Sequence, residues 1–346
     1  MYRMIINVKN IFERVSDNRM FKKINILIII FILTYFVKFT EVTSKNNFDT
    51  AFSITFFPVG KGDCIIIKYN QEAIIVDAGF KKNSKDILNY LKQENITDIK
   101  AIIATHPHKD HIGGIPDILL SDIKIDTLYQ SKNKLDTKQY QALIKTIEIT
   151  NTFVKEPKLG EQILLGDAIL TFIGPLKTDY KNINNSSIVI QVEYASHSIL
   201  LTGDMLKEAE LDLLKSNTNL NSTILKVGHH GNNDASSNAF IQAVNPQYSI
   251  ITCNLLNMQI PSFNVLNKLK NQNSEILLND MIGIIKFNIS DTGEIKIEKQ
   301  YNKRLLNFII TIFIIIMFLL WLMLKLVQSD FFLKLLKVNK PYYFLI

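Results

Sequence analysis

Three of the chain's six histidines fall within six residues, His106-Pro107-His108-Lys109-Asp110-His111, directly after the apolar run Ala101–Thr105. A chance H-x-H-x-D-H at this composition is expected on the order of once in ten thousand such chains, so the cluster constrains the chain more than any other feature. Neutral imidazoles and carboxylate oxygens suit a divalent ion such as zinc, and short spacing on a loop lets neighbouring side chains turn toward one or two ions. A strand that delivers such a loop at its carboxyl end predicts an α/β domain whose site opens at the strand ends.

Residues 48–300 carry no Pro/Gly/Ser-rich linker and no low-complexity tract, and are read as one domain. Strands are predicted over Ser53–Pro58, Cys64–Tyr69, Ala73–Asp77, Ala101–Thr105, Ala168–Ile173, Ser187–Tyr194, Ser198–Thr202, Thr223–Val227, Ser249–Thr252, Ile284–Asn288 and Glu294–Glu298. Helical patterns fall between them, at Ser84–Lys92, Gly114–Ser121, Thr137–Ile147, Met205–Lys215, Asn238–Ala243 and Ser262–Asn271, the signature of a mixed α/β domain. Several strands run almost continuously apolar, which predicts that both of their faces are covered.

Further polar residues sit at strand ends. Asp77 closes Ile74-Ile75-Val76, Asp204 closes Leu200-Leu201-Thr202-Gly203, and His229 and His230 follow Lys226-Val227-Gly228. A lone Asp at a strand end is ordinarily a turn or cap residue, but its repetition beside a histidine cluster raises both as site residues. His197 reads as a turn residue between strands. Cys64 and Cys253 offer neither a disulfide framework nor a thiolate cluster.

Both ends of the chain read as membrane segments. Residues 305–324 are apolar except for Asn307 and Thr311, enough for a helix to cross a hydrocarbon core of ~30 Å. Residues 24–39 form a shorter run, read as an uncleaved anchor because no small-x-small cleavage pattern follows it. Arg3, Lys9, Arg14, Arg19, Lys22 and Lys23 precede it and only Lys38 and Lys45 follow closely, so residues 1–23 are predicted to be cytoplasmic and the domain extracytoplasmic. Residues 325–346 form a C-terminal tail.

The net charge of +7 suggests nucleic acid until it is divided by region. Residues 1–40 carry 7 basic and 2 acidic side chains and residues 301–346 carry 6 and 1, which leaves 26 lysines against 29 acids between them. That domain has a net charge of −3 and no arginine. The basic excess reports topology and attraction to membrane lipid, and gives no DNA-binding stripe.

In order, Val76-Asp77-Ala78-Gly79, Thr105 through Gly114, Leu201-Thr202-Gly203-Asp204 and Lys226 through Gly231 resemble the motifs of the metallo-β-lactamase superfamily. The closer resemblance is to the hydrolase domain of ComEC-type competence proteins. Val59-Gly60-Lys61-Gly62-Asp63 is similar to that group's V-G-Q-G-D, and Asn184-Asn185-Ser186-Ser187-Ile188-Val189 to its N-x-x-S-x-V. The resemblance covers roughly residues 52–298 and implies an αββα sandwich. The multi-helix channel of true ComEC proteins has no counterpart in this sequence.

The resemblance implies that His106 and His108 hold one metal, that Asp110, His111 and His229 hold a second, and that Asp204 bridges the two. It implies that Asp77 orients the histidine loop, and it leaves Asn184, Ser187 and His230 beside the site. The sequence departs from the pattern at Asn184, where the superfamily has a third histidine, and at Ile260, Asn232 and Lys61. The implied cofactor is one or two divalent ions, zinc or manganese. A bound ion lowers the pKa of its water from 15.7 toward ~7 and so supplies hydroxide at neutral pH, with Asp110 or Asp204 serving in proton transfer.

The expected function is therefore membrane-anchored hydrolysis of phosphodiesters. The alternatives are an envelope ester of the choline phosphate type, or a non-catalytic metal-binding membrane protein. The residues name no membrane-protein partner.

Overall fold

The structure, a computed structural model, describes residues 50–254, 260–300, 311–316 and 319. It opens with an antiparallel meander, β1 (Phe52–Phe56), β2 (Ile65–Tyr69) and β3 (Glu72–Val76). Helix α1 (Ser84–Gln93) crosses to β4 (Asp98–Ala104), which lies parallel to β3. Two short helices follow, α2 (Lys109–Ile112) and α3 (Ile115–Leu119). The parallel edge is extended by β5 (Lys124–Ile125), β6 (Leu128–Gln130) and, after α4 (Lys138–Thr150), β7 (Val154–Lys155).

The second sheet starts antiparallel with β8 (Gln162–Leu165), β9 (Ala168–Gly174), β10 (Val189–Tyr194) and β11 (His197–Leu201). It continues in parallel through β12 (Ile224–Lys226), β13 (Tyr248–Ile251) and β14 (Glu275–Leu278). Helices α5 (Lys207–Lys215), α6 (Asn238–Val244) and α7 (Phe263–Asn271) connect these strands. After α8 (Asn279–Ile282), β15 (Ile284–Ile289) and β16 (Ile295–Gln300) return to the first sheet, where β15 pairs with β1.

Side-chain alternation along the strands builds the layers. Phe52, Ile54, Phe56, Ile74, Val76 and Ile103 face Ile190, Val192, Ile199 and Leu201 across the two sheets. The opposite face of the first sheet, with Ile66, Ile75 and Ile102, packs on Ile87, Leu91 and Ile118 of its helices. Leu200 and Leu225 of the second sheet pack likewise on Leu213, Phe240 and Leu269. Each of these buried side chains contributes roughly 1.5–3 kcal/mol. The result is a helix-sheet-sheet-helix sandwich, and the covered faces explain why Ile74-Ile75-Val76 shows no polar alternation.

Each of the eleven predicted strands is present, with ends displaced by up to three residues. The strands missed are β5 to β8 and β14, of 2 to 4 residues. The predicted helix Gly114–Ser121 is corrected to α3, preceded by the separate turn α2, which encloses Asp110 and His111. That turn starts from an extended His108 (φ −73°, ψ 147°), so the histidine loop is half loop and half helix.

The segment 1–23, the anchor expected at 24–39 and the tail 325–346 lie outside the described residues, as do residues 305–310, 317, 318 and 320–324 of the second run. Residues 311–316 are helical, with exposed apolar side chains. Among the described residues no helix is long and apolar enough to cross a membrane.

Candidate metal centre

The parallel strands β3, β4, β11, β12 and β13 all end at one rim of the sandwich, and the β1–β2 loop folds over it. Asp77 follows β3, His106 to His111 follow β4, Asp204 follows β11, His229 and His230 follow β12, and Thr252 follows β13. Two glycines allow this convergence. Gly203 adopts φ +51°, and a Cβ there would lie 2.9 Å from that of Ser187; a Cβ on Gly62 would strike the Asp110 carbonyl.

Asp204 lies at the middle of the cluster. Its Oδ2 is 3.3 Å from His111 Nε2, 3.8 Å from His106 Nε2 and 4.0 Å from His229 Nε2. Its Oδ1 is 3.3 Å from His230 Nε2 and 3.8 Å from Lys226 Nζ. His106 Nε2 and His108 Nδ1 stand 2.9 Å apart, and His230 Nε2 is 3.9 Å from Asp110 Oδ2.

Other side chains aim these donors. The Asp77 carboxylate accepts from the Thr105 backbone N–H at 2.8 Å and from its hydroxyl at 2.7 Å, and meets His111 Nδ1 at 2.7 Å. With both oxygens so engaged, Asp77 fixes the ring that turns Nε2 toward Asp204. Ser187 Oγ accepts from the Asp204 N–H at 3.0 Å and lies 3.4 Å from His106 Nδ1. His230 Nδ1 meets Thr252 Oγ1 at 3.1 Å, and His229 Nδ1 meets Asp234 at 2.8 Å. Asn184 Nδ2 is 3.4 Å from His229 Nε2.

Charge within the cluster divides the imidazoles. Burial, with His111 close by, holds His106 well below the ordinary histidine value, and burial also lowers His108. Burial alone would lower His111, but the charges of Asp204 and Asp77 overcome it and raise it well above that value. Burial would raise Asp204, yet His230 and His111 pull it far down.

The donor set fits a divalent ion. His106, His111 and Asp204 form one group and Asp110, His111 and His230 another, with the ligand atoms of each group within 4.8 Å of one another. His111 Nε2, His230 Nε2 and Asp204 Oδ1 are buried without hydrogen-bond partners, and a cation between them accounts for all three.

His229, expected in the second group, and His230 take different places in the structure. His230 stands beside Asp110 and His111, while His229 lies near Asn184 and the Asp204 Oδ2 flank. The tight turn 228–231, in which both histidines adopt positive φ (47° and 56°), sends the two rings to different flanks of Asp204. His197, read as a turn residue, begins β11 away from the site, bonded to Thr223 and the Gly293 carbonyl.

Asp63, Lys226, Thr105 and Thr252 belong to the cluster and were not expected there. In the sequence Asp63 shows only as the end of the V-G-K-G-D stretch, and Lys226 as the start of the motif that ends at Gly231. Replacing Asp77 with Asn is expected to weaken metal binding about 10- to 100-fold with the fold retained, measured by zinc competition beside circular dichroism.

Residues 57–253 match the metallo-beta-lactamase superfamily, and the chain belongs to that superfamily. Within it, the chain is similar to competence proteins. It is 26% identical over 264 residues to ComE operon protein 3 of Bacillus subtilis, covering 70% of this chain and 34% of that protein. It is 27% identical over 256 residues to Recombination protein 2 of Haemophilus influenzae, covering 72% and 30%. It is also 28% identical over 150 residues to Ribonuclease J of Mycoplasma pneumoniae, covering 40% and 24%. The chain thus spans about a third or less of the length of these relatives.

Proposed function

We propose that this protein is a membrane-anchored, metal-dependent phosphodiesterase that works outside the cytoplasm. The observation that carries the reading is the convergence of unpartnered buried donors, His111 Nε2, His230 Nε2 and Asp204 Oδ1, at one strand-end rim. His106 and His108 would hold one zinc or manganese ion, Asp110, His111 and His230 a second, and Asp204 would lie between them. Bound there, such ions supply Lewis acidity and an ionised water at neutral pH.

The chain's own residues supply the rest. Asp77, Ser187 and Thr252 orient the ligands, and Asp110, half-buried beside His230, is placed to accept a proton at a carboxylate oxygen. His229, oriented through Nδ1 by Asp234, presents Nε2 beside Asn184 at the more exposed flank, where a leaving oxygen can receive a proton. The ribonuclease among the relatives supports phosphodiester chemistry. The net charge of −3 in residues 41–300 supports a small envelope phosphoester as the second reading, because tracking a long nucleic acid recruits many cations.

The test is metal content together with hydrolysis of bis-p-nitrophenyl phosphate by the full chain in detergent, beside His108→Ala. Activity is expected in the wild type and about 100-fold less in the variant, equivalent to about 2.7 kcal/mol of barrier. A wild-type protein that retains metal but hydrolyses no phosphoester moves the assignment to a non-catalytic binding role.

A further inference from the structure

Lys226 is the one lysine that is buried among the described residues, and it occupies a place where the sheet pattern calls for an apolar side chain. Ile224 packs in the layer between the sheets and Leu225 on the helices, so the alternation returns Lys226 to the inner face. A buried ammonium is costly unless it is paired and hydrogen-bonded. Here Nζ lies 2.6 Å from Asp63 Oδ2, donates to the Gly203 carbonyl at 3.0 Å and stands 3.8 Å from Asp204 Oδ1.

Its partner Asp63 is engaged on every side. Thr252 donates to its Oδ1 at 2.6 Å, its N–H donates to the Asp110 carbonyl at 3.2 Å, and its carbonyl accepts from the Gly79 N–H at 2.8 Å. The pair therefore touches every loop that delivers a candidate ligand. His111 beside it stands among three buried carboxylates: its Nδ1 lies 2.7 Å from Asp77 and 3.9 Å from Asp63, and its Nε2 lies 3.3 Å from Asp204. Asp63, Asp77 and His111 would themselves make a third donor group, and Lys226 already occupies its Asp63 side.

We infer that Lys226 is a positioning residue for the metal centre: its ammonium ties the Gly203–Asp204 turn to Asp63 and fixes the bridging carboxylate before any ion arrives. The same ammonium is the resident cation of the third donor group, which directs incoming ions to the two groups built on Asp204 and Asp110. The inference rests on reading those donors as a metal centre and is independent of the substrate.

The experiment titrates chelator-stripped, full-length protein with Zn²⁺ against a chromophoric chelator, and records thermal unfolding and the visible bands of the Co²⁺ derivative. Lys226→Met and Asp63→Asn are both expected to weaken zinc binding at least about tenfold, the latter because the unpaired ammonium then competes for Asp204. The double variant Asp63→Leu/Lys226→Met removes both charges. It is expected to unfold near the wild-type temperature while zinc affinity and the Co²⁺ bands stay altered. Wild-type affinity and bands in the double variant would mean that the pair is structural only, and overturn the assignment. If the double variant stays unstable, Asp63→Asn decides, and wild-type affinity there overturns it equally. A wild-type chain that binds no zinc overturns the metal centre itself, and this assignment with it.

Discussion

Replacing Asp204 with Asn is expected to remove hydrolysis of bis-p-nitrophenyl phosphate by on the order of 10³-fold or more, the largest loss of any single substitution in the site. Asp204 is the one side chain in reach of His106, His111, His229 and His230 together. Of the other candidate ligands, His111 alone among the described residues enters both donor groups, and it carries no negative charge. Asn keeps the shape and the backbone bond to Ser187 but removes the charge that holds two ions close. Stabilising the developing charge on an attacked phosphoryl group is worth several kcal/mol, and about 4 kcal/mol corresponds to about three decades in rate. Parallel measurement of bound metal and of kcat/KM checks it. A variant that loses activity while keeping two ions per chain would move the role of Asp204 from holding metal to proton transfer.

Zinc affinity is expected to rise about tenfold per pH unit from mildly acid to neutral pH, until the raised His111 value is passed. The sign follows from the imidazoles. His106 and His108 lie below the ordinary value of 6.5 and are neutral near pH 7, so an ion meets no proton there. His111 lies well above it, held by Asp204 and Asp77 against the effect of burial, and must give up a proton to bind. Calorimetry in buffers of different ionisation enthalpy should report about one proton released per chain, and release of none would contradict the assignment.

The same values set the stability of chelated protein. Below 6.5 the unfolded chain gains protons on His106 and His108 that the folded state does not take, so stability falls with pH. Above 6.5 the folded state keeps the His111 proton that the unfolded chain has lost, so stability falls as pH rises through the raised value. The metal-free protein is therefore expected to be most stable near pH 6.5.

Most of this was legible in one dimension. His106, His108, Asp110 and His111 are contiguous, and a strand end is a place that sequence patterns mark well. The longer strands were readable because each carries at least four or five apolar or alternating residues, and the three-residue β12 because the Gly-His-His motif follows it; β6, of equal length, has neither signal. What the linear sequence concealed was geometry created by turns. The positive φ of His229 and His230 sends their rings to different flanks of Asp204, and no residue-type rule distinguishes two adjacent histidines. Lys226 was concealed for the opposite reason, since a lysine next to a loop reads as solvated until the sheets on both sides are seen to close over it.

The donors come from both halves of the sandwich: Asp77 and His106 to His111 from the first sheet, Asp204, His229 and His230 from the second. Roughly a hundred residues of chain separate His106 from Asp204, so the full coordination set comes into being only when the two sheets dock. An ion held there acts as a seam across the sandwich, drawing its grip from a contact that the newly made chain does not yet possess. A metal bound there would therefore be taken up from the ions present where docking is completed, and its removal would loosen one sheet from the other.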